Sequence, residues 1–227
     1  MGARAYASNT LESGWIPSPL PAVYTGESMK PYREWLPGAG YEGSGSIGGS
    51  YVADTVDGYY LTPYELGYGP FVKFDHEFIG RAALEKMRKE NRPQKKKVTF
   101  EWSSEDLARI FASMTSRTDN CKYFDLPNAN YASASYDRVM KGDRLVGLSM
   151  FTGYSDNENV ALSLGVVDAD IQTGDVLTLV WGEEGGGTRK PTVERHKQTE
   201  VRVRVAATPY ATDAREGYHQ GWRSRQA

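Results

Sequence analysis

The sequence contains one cysteine, Cys121, and three histidines among its 227 residues. A single cysteine excludes an internal disulfide and a cysteine-rich metal site, and it favours a reducing compartment such as the cytoplasm. His76, His196 and His219 show no metal-ligand spacing, either among themselves or with Cys121. We therefore expect no metal centre.

The sequence also lacks an excess of charge and a long apolar run. Its 27 basic side chains nearly balance its 29 acidic ones, and the formal net charge is -2, so there is no basic footprint for nucleic acid. No run approaches the length of a membrane helix, and Met1–Thr10 lacks the apolar region of a signal peptide. We expect a cytoplasmic protein that binds neither nucleic acid nor a membrane.

Tyrosine, glycine and proline are abundant, with 15, 24 and 11 residues. Together with serine they dominate residues 17–60, a loop long enough to be functional, packed against a partner or disordered. Its aromatic side chains argue against a disordered linker. Tyrosine in such numbers suits a surface that binds flat ligands and keeps a polar group available.

Periodicity and capping signals predict mixed structure in the first half of the chain. Residues 2–14 read as a weak helix, and Ile79–Lys89 has apolar residues at helical spacing. Ser103 or Ser104 can cap a further helix. Phe71–Phe74 and Val98–Trp102 read as strands.

After Asn120 the pattern changes to short strands separated by turns containing Gly and Asp. The predicted strands are Tyr136–Met140, Leu145–Phe151, Val160–Val167, Val176–Trp181 and Thr199–Ala206. In the last of these, valines and arginines alternate, which is typical of a strand with one buried face. The pattern predicts an antiparallel barrel or sandwich and an α+β fold overall.

Two glycine-rich stretches fail as nucleotide-binding motifs. Gly43–Gly48 matches the dinucleotide fingerprint but has no strand before it and no helix after it. Gly185–Thr188 lacks the Lys-Ser/Thr ending of a phosphate-binding loop. We interpret both as turns.

Several motifs occur in the order found in a known family. Gly2–Arg4 reads Gly-Ala-Arg and Leu11–Gly14 reads Leu-Glu-Ser-Gly; Leu61–Gly69 contains Thr-Pro-Tyr-Glu, and Val72–Phe74 and Phe78–Arg81 follow. These segments resemble the signatures of the aminomethyltransferase superfamily, which includes the glycine-cleavage T-protein. The resemblance implies the C-terminal part of a folate-binding domain over residues 1–120, a β-barrel domain over 121–210 and a polar tail over 211–227.

A closer resemblance is to the tetrahydrofolate-dependent vanillate/syringate O-demethylases. It rests on Gly2–Gly26 and on Trp181–His196, and it covers essentially the whole chain but only the latter half of a family member. The missing N-terminal half, or a partner subunit that supplies it, is therefore an expected partner. The implied reaction moves a methyl group from a methoxybenzoate to N5 of tetrahydrofolate.

This reaction needs an aligned methyl group and a donor to the leaving phenolate. The resemblance places the family's catalytic tyrosine at Tyr6 and the acid for the pterin edge at Glu12. Trp15 is a candidate for stacking on the pterin or the aryl ring, and Arg4 and Lys97 are candidates for the glutamate tail of the folate. The competing interpretations are a packed tyrosine, a core tryptophan and ordinary surface charges.

The sequence departs from the T-protein pattern at two points. Ala5 and Tyr6 stand where that family has Asp-Ser or similar, and Trp15 replaces its usual methionine. These departures disfavour the glycine-cleavage reaction, although a T-protein-like aminomethyltransferase remains an alternative. A further alternative is that the chain is an inactive fragment or a separate subunit of an aryl O-demethylase.

Overall fold

The structure is a computed structural model that describes residues 2–17, 19–90, 95–187 and 193–217. Most of the predicted polar tail, with His219, lies outside these residues, as do residues 188–192 of the Trp181–His196 motif. Within the described ranges, no helix is long and apolar enough to cross a membrane.

The helices lie mainly in the first half of the chain. They are α1 (Ala3–Ser13), α2 (Lys30–Trp35), α3 (Arg81–Glu90) and α4 (Ser104–Ser113). Helix α1 ends at Gly14, whose φ of 70° is one that glycine adopts without strain, and the Gly14 N–H donates to the Thr10 carbonyl. Helix α4 begins as predicted, because the Ser103 hydroxyl accepts a hydrogen bond from the Asp106 N–H.

Most strands lie in the second half of the chain. In the described residues they are β1 (Ile47–Gly48), β2 (Lys96–Trp102), β3 (Ala134–Ser135), β4 (Asp137–Lys141), β5 (Arg144–Ser155), β6 (Val160–Val167), β7 (Val176–Trp181) and β8 (Thr199–Ala206). Six of these strands close into an antiparallel barrel, in the order β2-β6-β5-β4-β7-β8. Strands β1 and β3 form a separate parallel pair. The α+β class and the barrel are thereby confirmed.

The barrel separates two hydrophobic layers. Its interior takes side chains from all six strands, among them Phe100, Trp181 and Val203. Strands β5 and β6 are buried on both faces, because their outer face packs against α1 and the loops that follow it, with Leu11 at the centre. This second layer fixes α1 on the outside of the barrel.

We expected the β domain to start at residue 121. The first strand of the barrel, β2, already begins at Lys96. Strand β2 pairs with β6 and β8 and so closes the barrel, and α4 follows it directly. What the segment before β2 contributes to a folate-binding domain stays a prediction.

The prediction of a strand at Phe71–Phe74 is wrong. The chain forms a short 3-10 turn at Gly69–Phe71 and then continues without regular structure. Pro70 has no N–H to give to a neighbouring strand, and Phe71 is exposed. The apolar composition of this segment therefore does not reflect burial in a sheet.

Candidate active site

Helix α1 carries the predicted site residues and is held to the barrel by its apolar face. Ala7, Thr10 and Leu11 are buried there. A side chain at Gly153 of β5 would collide with Leu11 and with the Pro127 carbonyl, so glycine permits this close approach. The opposite face of α1 is left open to solvent.

The structure brings Tyr6 and Trp15 together on that open face. Their ring centroids are 5.8 Å apart and the rings meet edge to face at 87°. Each residue is 44% exposed, so neither is the packed core side chain of the competing interpretation. The pair offers an accessible hydroxyl beside a flat aromatic surface.

Glu12 points in a different direction. Six residues of helix turn it about 120° away from Tyr6, and its carboxylate reaches the turn between β5 and β6. Oε1 accepts from the Ser155 hydroxyl at 2.6 Å, and the Asn157 amide donates to Oε1 at 3.1 Å and to Oε2 at 3.2 Å. The carboxylate therefore joins α1 to the barrel.

Arg4 and Lys97 are not brought together. Arg4 is exposed on the first turn of α1. Lys97 pairs with Val166, whereas the Ser155 end of β5 pairs with Val160, which places Lys97 about 20 Å along the barrel from the Glu12 contact at 3.3 Å per residue.

Lys97 is engaged inside the protein. Its ammonium lies 5.3 Å from the centroid of the Tyr68 ring, and burial lowers the pKa of this group. Tyr6, Glu12 and Trp15 thus form one neighbourhood on and beside α1, and Lys97 lies outside it.

A buried charged cluster was missed by sequence reasoning. Lys122 is only 2% exposed, and its ammonium lies 3.0 Å from Glu183 Oε1 and 4.7 Å from the Trp181 ring centroid. The Gly49 N–H donates to the same carboxylate oxygen at 3.0 Å. Burial alone raises the pKa of Glu183, but its hydrogen bonds and the charge of Lys122 outweigh burial and hold the pKa well below its usual range.

Asp137 and His196 complete this cluster. Asp137 is buried and accepts from the Ser50 N–H at 2.9 Å, and burial raises its pKa to about 6 against the opposing charge of Lys122. His196 Nε2 lies 3.0 Å from the Glu183 N–H, and Nδ1 lies 2.8 Å from the Glu194 carbonyl. The ring therefore bridges the Glu183 and Glu194 backbones.

The cluster fixes the Gly49–Ser50 segment to the barrel, because both of its carboxylates accept from that segment's N–H groups. Glu183 and His196 lie within the Trp181–His196 motif. That motif supported the family resemblance but did not predict a buried charged cluster. Lys122 gave no signal at all, because a lone lysine in a polar segment does not predict burial.

The architecture defines the class of the protein as an α+β chain in which a helix bearing an exposed Tyr–Trp pair packs on a closed antiparallel barrel. No family model matches the chain. It is 47% identical over 228 residues to a syringate O-demethylase of Sphingobium sp. (strain NBRC 103272 / SYK-6), which covers 100% of this chain and 49% of that protein.

A second relative is more distant. A sesamin methylene transferase of Sinomonas sp. (strain No.22) is 27% identical over 224 residues, which covers 92% of this chain and 47% of that protein. The chain spans about half the length of both relatives. All of this chain aligns with the syringate O-demethylase, and the resemblance to syringate O-demethylases that was inferred from its motifs is confirmed.

Proposed function

We propose that this chain supplies the Tyr6-bearing part of an aryl O-demethylase that moves a methyl group from a methoxybenzoate, such as vanillate or syringate, to N5 of tetrahydrofolate. The observation that carries the proposal is the exposed Tyr6–Trp15 pair, which lies within the segment whose motif resembles the O-demethylases. The 47% identity to a syringate O-demethylase supports the substrate class.

Tyr6 is proposed as the proton donor. Breaking the bond between methyl carbon and ether oxygen leaves negative charge on that oxygen, and a phenolic O–H aimed at it stabilises the charge or supplies a proton. The Tyr6 hydroxyl has no hydrogen-bond partner among the described residues, so it is available to a substrate. The Trp15 ring beside it can orient an aromatic ligand by edge or face contact.

Tetrahydrofolate is proposed as the methyl acceptor, and the residues around α1 fit part of it. Glu12 Oε2 accepts one hydrogen bond, from Asn157, and a carboxylate oxygen can accept a second from the donor-rich pterin edge. Trp15 offers a flat surface. For the glutamate tail we favour the exposed Arg4 over Lys97, whose ammonium is already packed on Tyr68.

We further propose that turnover requires the remaining half of the protein. The chain spans about half of its relatives, and Tyr6 and Trp15 present aromatic surface that a second half would cover. The alternative of an inactive fragment predicts no turnover even when that half is supplied, whereas a separate subunit becomes active once that half is present.

The experiment is tetrahydrofolate-dependent demethylation of vanillate and syringate, measured with the chain alone and with the missing half supplied from the syringate O-demethylase relative. We expect activity only in the complemented protein. Tyr6→Phe abolishes it, whereas the control Tyr123→Phe retains it, because within the described chain Tyr123 makes hydrogen bonds through its backbone and not through its hydroxyl. Complemented protein that is inactive, or equally active with Tyr6→Phe, contradicts the proposal.

A further inference from the structure

The loop between α1 and β1, together with Val56 and the start of β3, lines a partly open cavity of about 350 Å³ that the proposed reaction does not use. Its walls are mainly apolar and include Pro17, Pro19, Leu20, Pro21, Ile47 and Val56. This volume lies at the lower end of the range of small-molecule sites, which are typically concave and apolar with a few placed polar groups.

The shape of the cavity is fixed by hydrogen bonds within the loop and to Tyr136. The Arg33 guanidinium donates to three backbone carbonyls in residues 23–26, at 2.9 to 3.2 Å. The Leu20 N–H donates to the Tyr136 hydroxyl at 3.0 Å, and the Tyr24 hydroxyl donates to the Glu42 carbonyl at 3.1 Å. The prolines restrict the backbone further. A ligand therefore meets a preformed site and orders little of the chain on binding.

The polar groups of the cavity are hydroxyls. Ser46 Oγ accepts from the Ser133 N–H at 3.3 Å, and Ser133 Oγ accepts from the Ser46 N–H at 3.2 Å. Within the described chain neither hydroxyl proton has an acceptor, so both can donate to a ligand oxygen. Tyr24 and Tyr41 add aromatic surface to the wall.

None of the residues that line the cavity is charged. A carboxylate placed there would lose part of its hydration without gaining a cation, which is costly. We propose that the cavity binds an uncharged planar aromatic ring that carries ether or hydroxyl oxygens. The inference is independent of methyl transfer, because binding in the cavity needs neither Tyr6 nor tetrahydrofolate.

The test is a titration of the chain with 1,2-dimethoxybenzene, followed by saturation-transfer NMR and calorimetry. The structure predicts saturable binding that Val56→Trp abolishes by filling the cavity. The control Val52→Trp leaves binding unchanged, because Val52 is 72% exposed and lies outside the cavity wall. Absence of binding, or equal binding to both variants, overturns the proposal.

Two further ligands examine the chemistry and do not depend on the folding of Val56→Trp. Ser46→Ala weakens binding of 1,2-dimethoxybenzene but not of 1,2-diethylbenzene, in which a CH2 group replaces each ether oxygen. Binding of 3,4-dimethoxybenzoate to the cavity is about tenfold weaker or more, a difference of about 1.4 kcal/mol. Benzoate binding that is equally tight and equally weakened by Ser46→Ala contradicts an uncharged ligand. If only the demethylation assay fails, the predictions for binding in the cavity still hold.

Discussion

The carboxylate of Glu12 fastens α1 to the turn between β5 and β6, and Glu12→Gln tests how strongly it does so. Ser155, which is fully buried, and Asn157, which is exposed, both donate to this carboxylate. A glutamine can keep an oxygen toward the Ser155 hydroxyl. Its amide group then faces the Asn157 amide, so a donor opposes a donor.

The expected cost follows from these contacts. A hydrogen bond to a charged group contributes roughly 1.5–3 kcal/mol and a neutral one roughly 0.5–1.5 kcal/mol. The substitution converts the Ser155 and Asn157 bonds to Oε1 from the first kind to the second, and it removes the Asn157 bond to Oε2, which solvent already weakens. We expect Glu12→Gln to lower the free energy of unfolding by about 1–2 kcal/mol.

The assay is urea denaturation followed by circular dichroism, with linear extrapolation of the free energy. Ser155→Ala removes the buried donor and leaves the carboxylate intact, so it lowers stability as well. If Glu12 also holds the pterin edge, only Glu12→Gln further weakens tetrahydrofolate binding in the complemented protein. An unfolding midpoint that neither substitution moves refutes the reasoning that this contact fixes α1.

Two further predictions concern charged groups of the barrel. The Arg202 hydrogen bonds lower the pKa of Asp106 to about 2. The stability that the ionised Asp106 contributes is therefore present above an ordinary aspartate pKa and is lost as pH falls through about 2. We expect Asp106→Asn to lower the free energy of unfolding by about 2 kcal/mol at pH 7, measured by urea denaturation. Burial raises the pKa of Asp137 to about 6, so the folded state keeps a proton that the unfolded state has released, and this group lowers stability as pH rises from 4 to 6. Asp137→Asn removes that pH dependence; denaturation curves at pH 4.5 and 7 that shift equally in both proteins contradict it.

The strands of the second half could be predicted because their side chains alternate. In β8 the valines at 201, 203 and 205 are buried and Arg202 and Arg204 are exposed, as the pattern indicated. The start of α4 could also be predicted, because an N-cap serine acts over three residues. Local signals of this kind are readable in a single sequence.

Long-range pairing could not be predicted. Strand β2 was found as a strand, but nothing in its residues shows that it pairs with β8, about a hundred residues later, to close the barrel. The strand prediction at Phe71–Phe74 failed because aromatic and β-branched residues favour strands only where a sheet accepts them.

The candidate site also has a part that local sequence signals predicted and a part that depends on long-range contacts. Tyr6, Glu12 and Trp15 lie on or beside one helix, so motif resemblance placed them in one neighbourhood. The ion pair of Lys122 with Glu183 joins residues 61 positions apart, and it exists only because the barrel brings β7 beside the segment that precedes β3. Its members carry charges that composition alone assigns to the surface.

The most direct test of the account is tetrahydrofolate-dependent release of the methyl group from syringate by this chain joined to the missing half, with Tyr6→Phe beside it. We expect turnover by the joined protein and a loss of at least about a hundredfold in kcat for Tyr6→Phe, in the range expected for a lost general acid. The stability of the Tyr6→Phe protein should be unchanged, because the Tyr6 hydroxyl has no hydrogen-bond partner in the described chain. Turnover that survives Tyr6→Phe, or a joined protein that folds and binds tetrahydrofolate but never demethylates, contradicts the central claim.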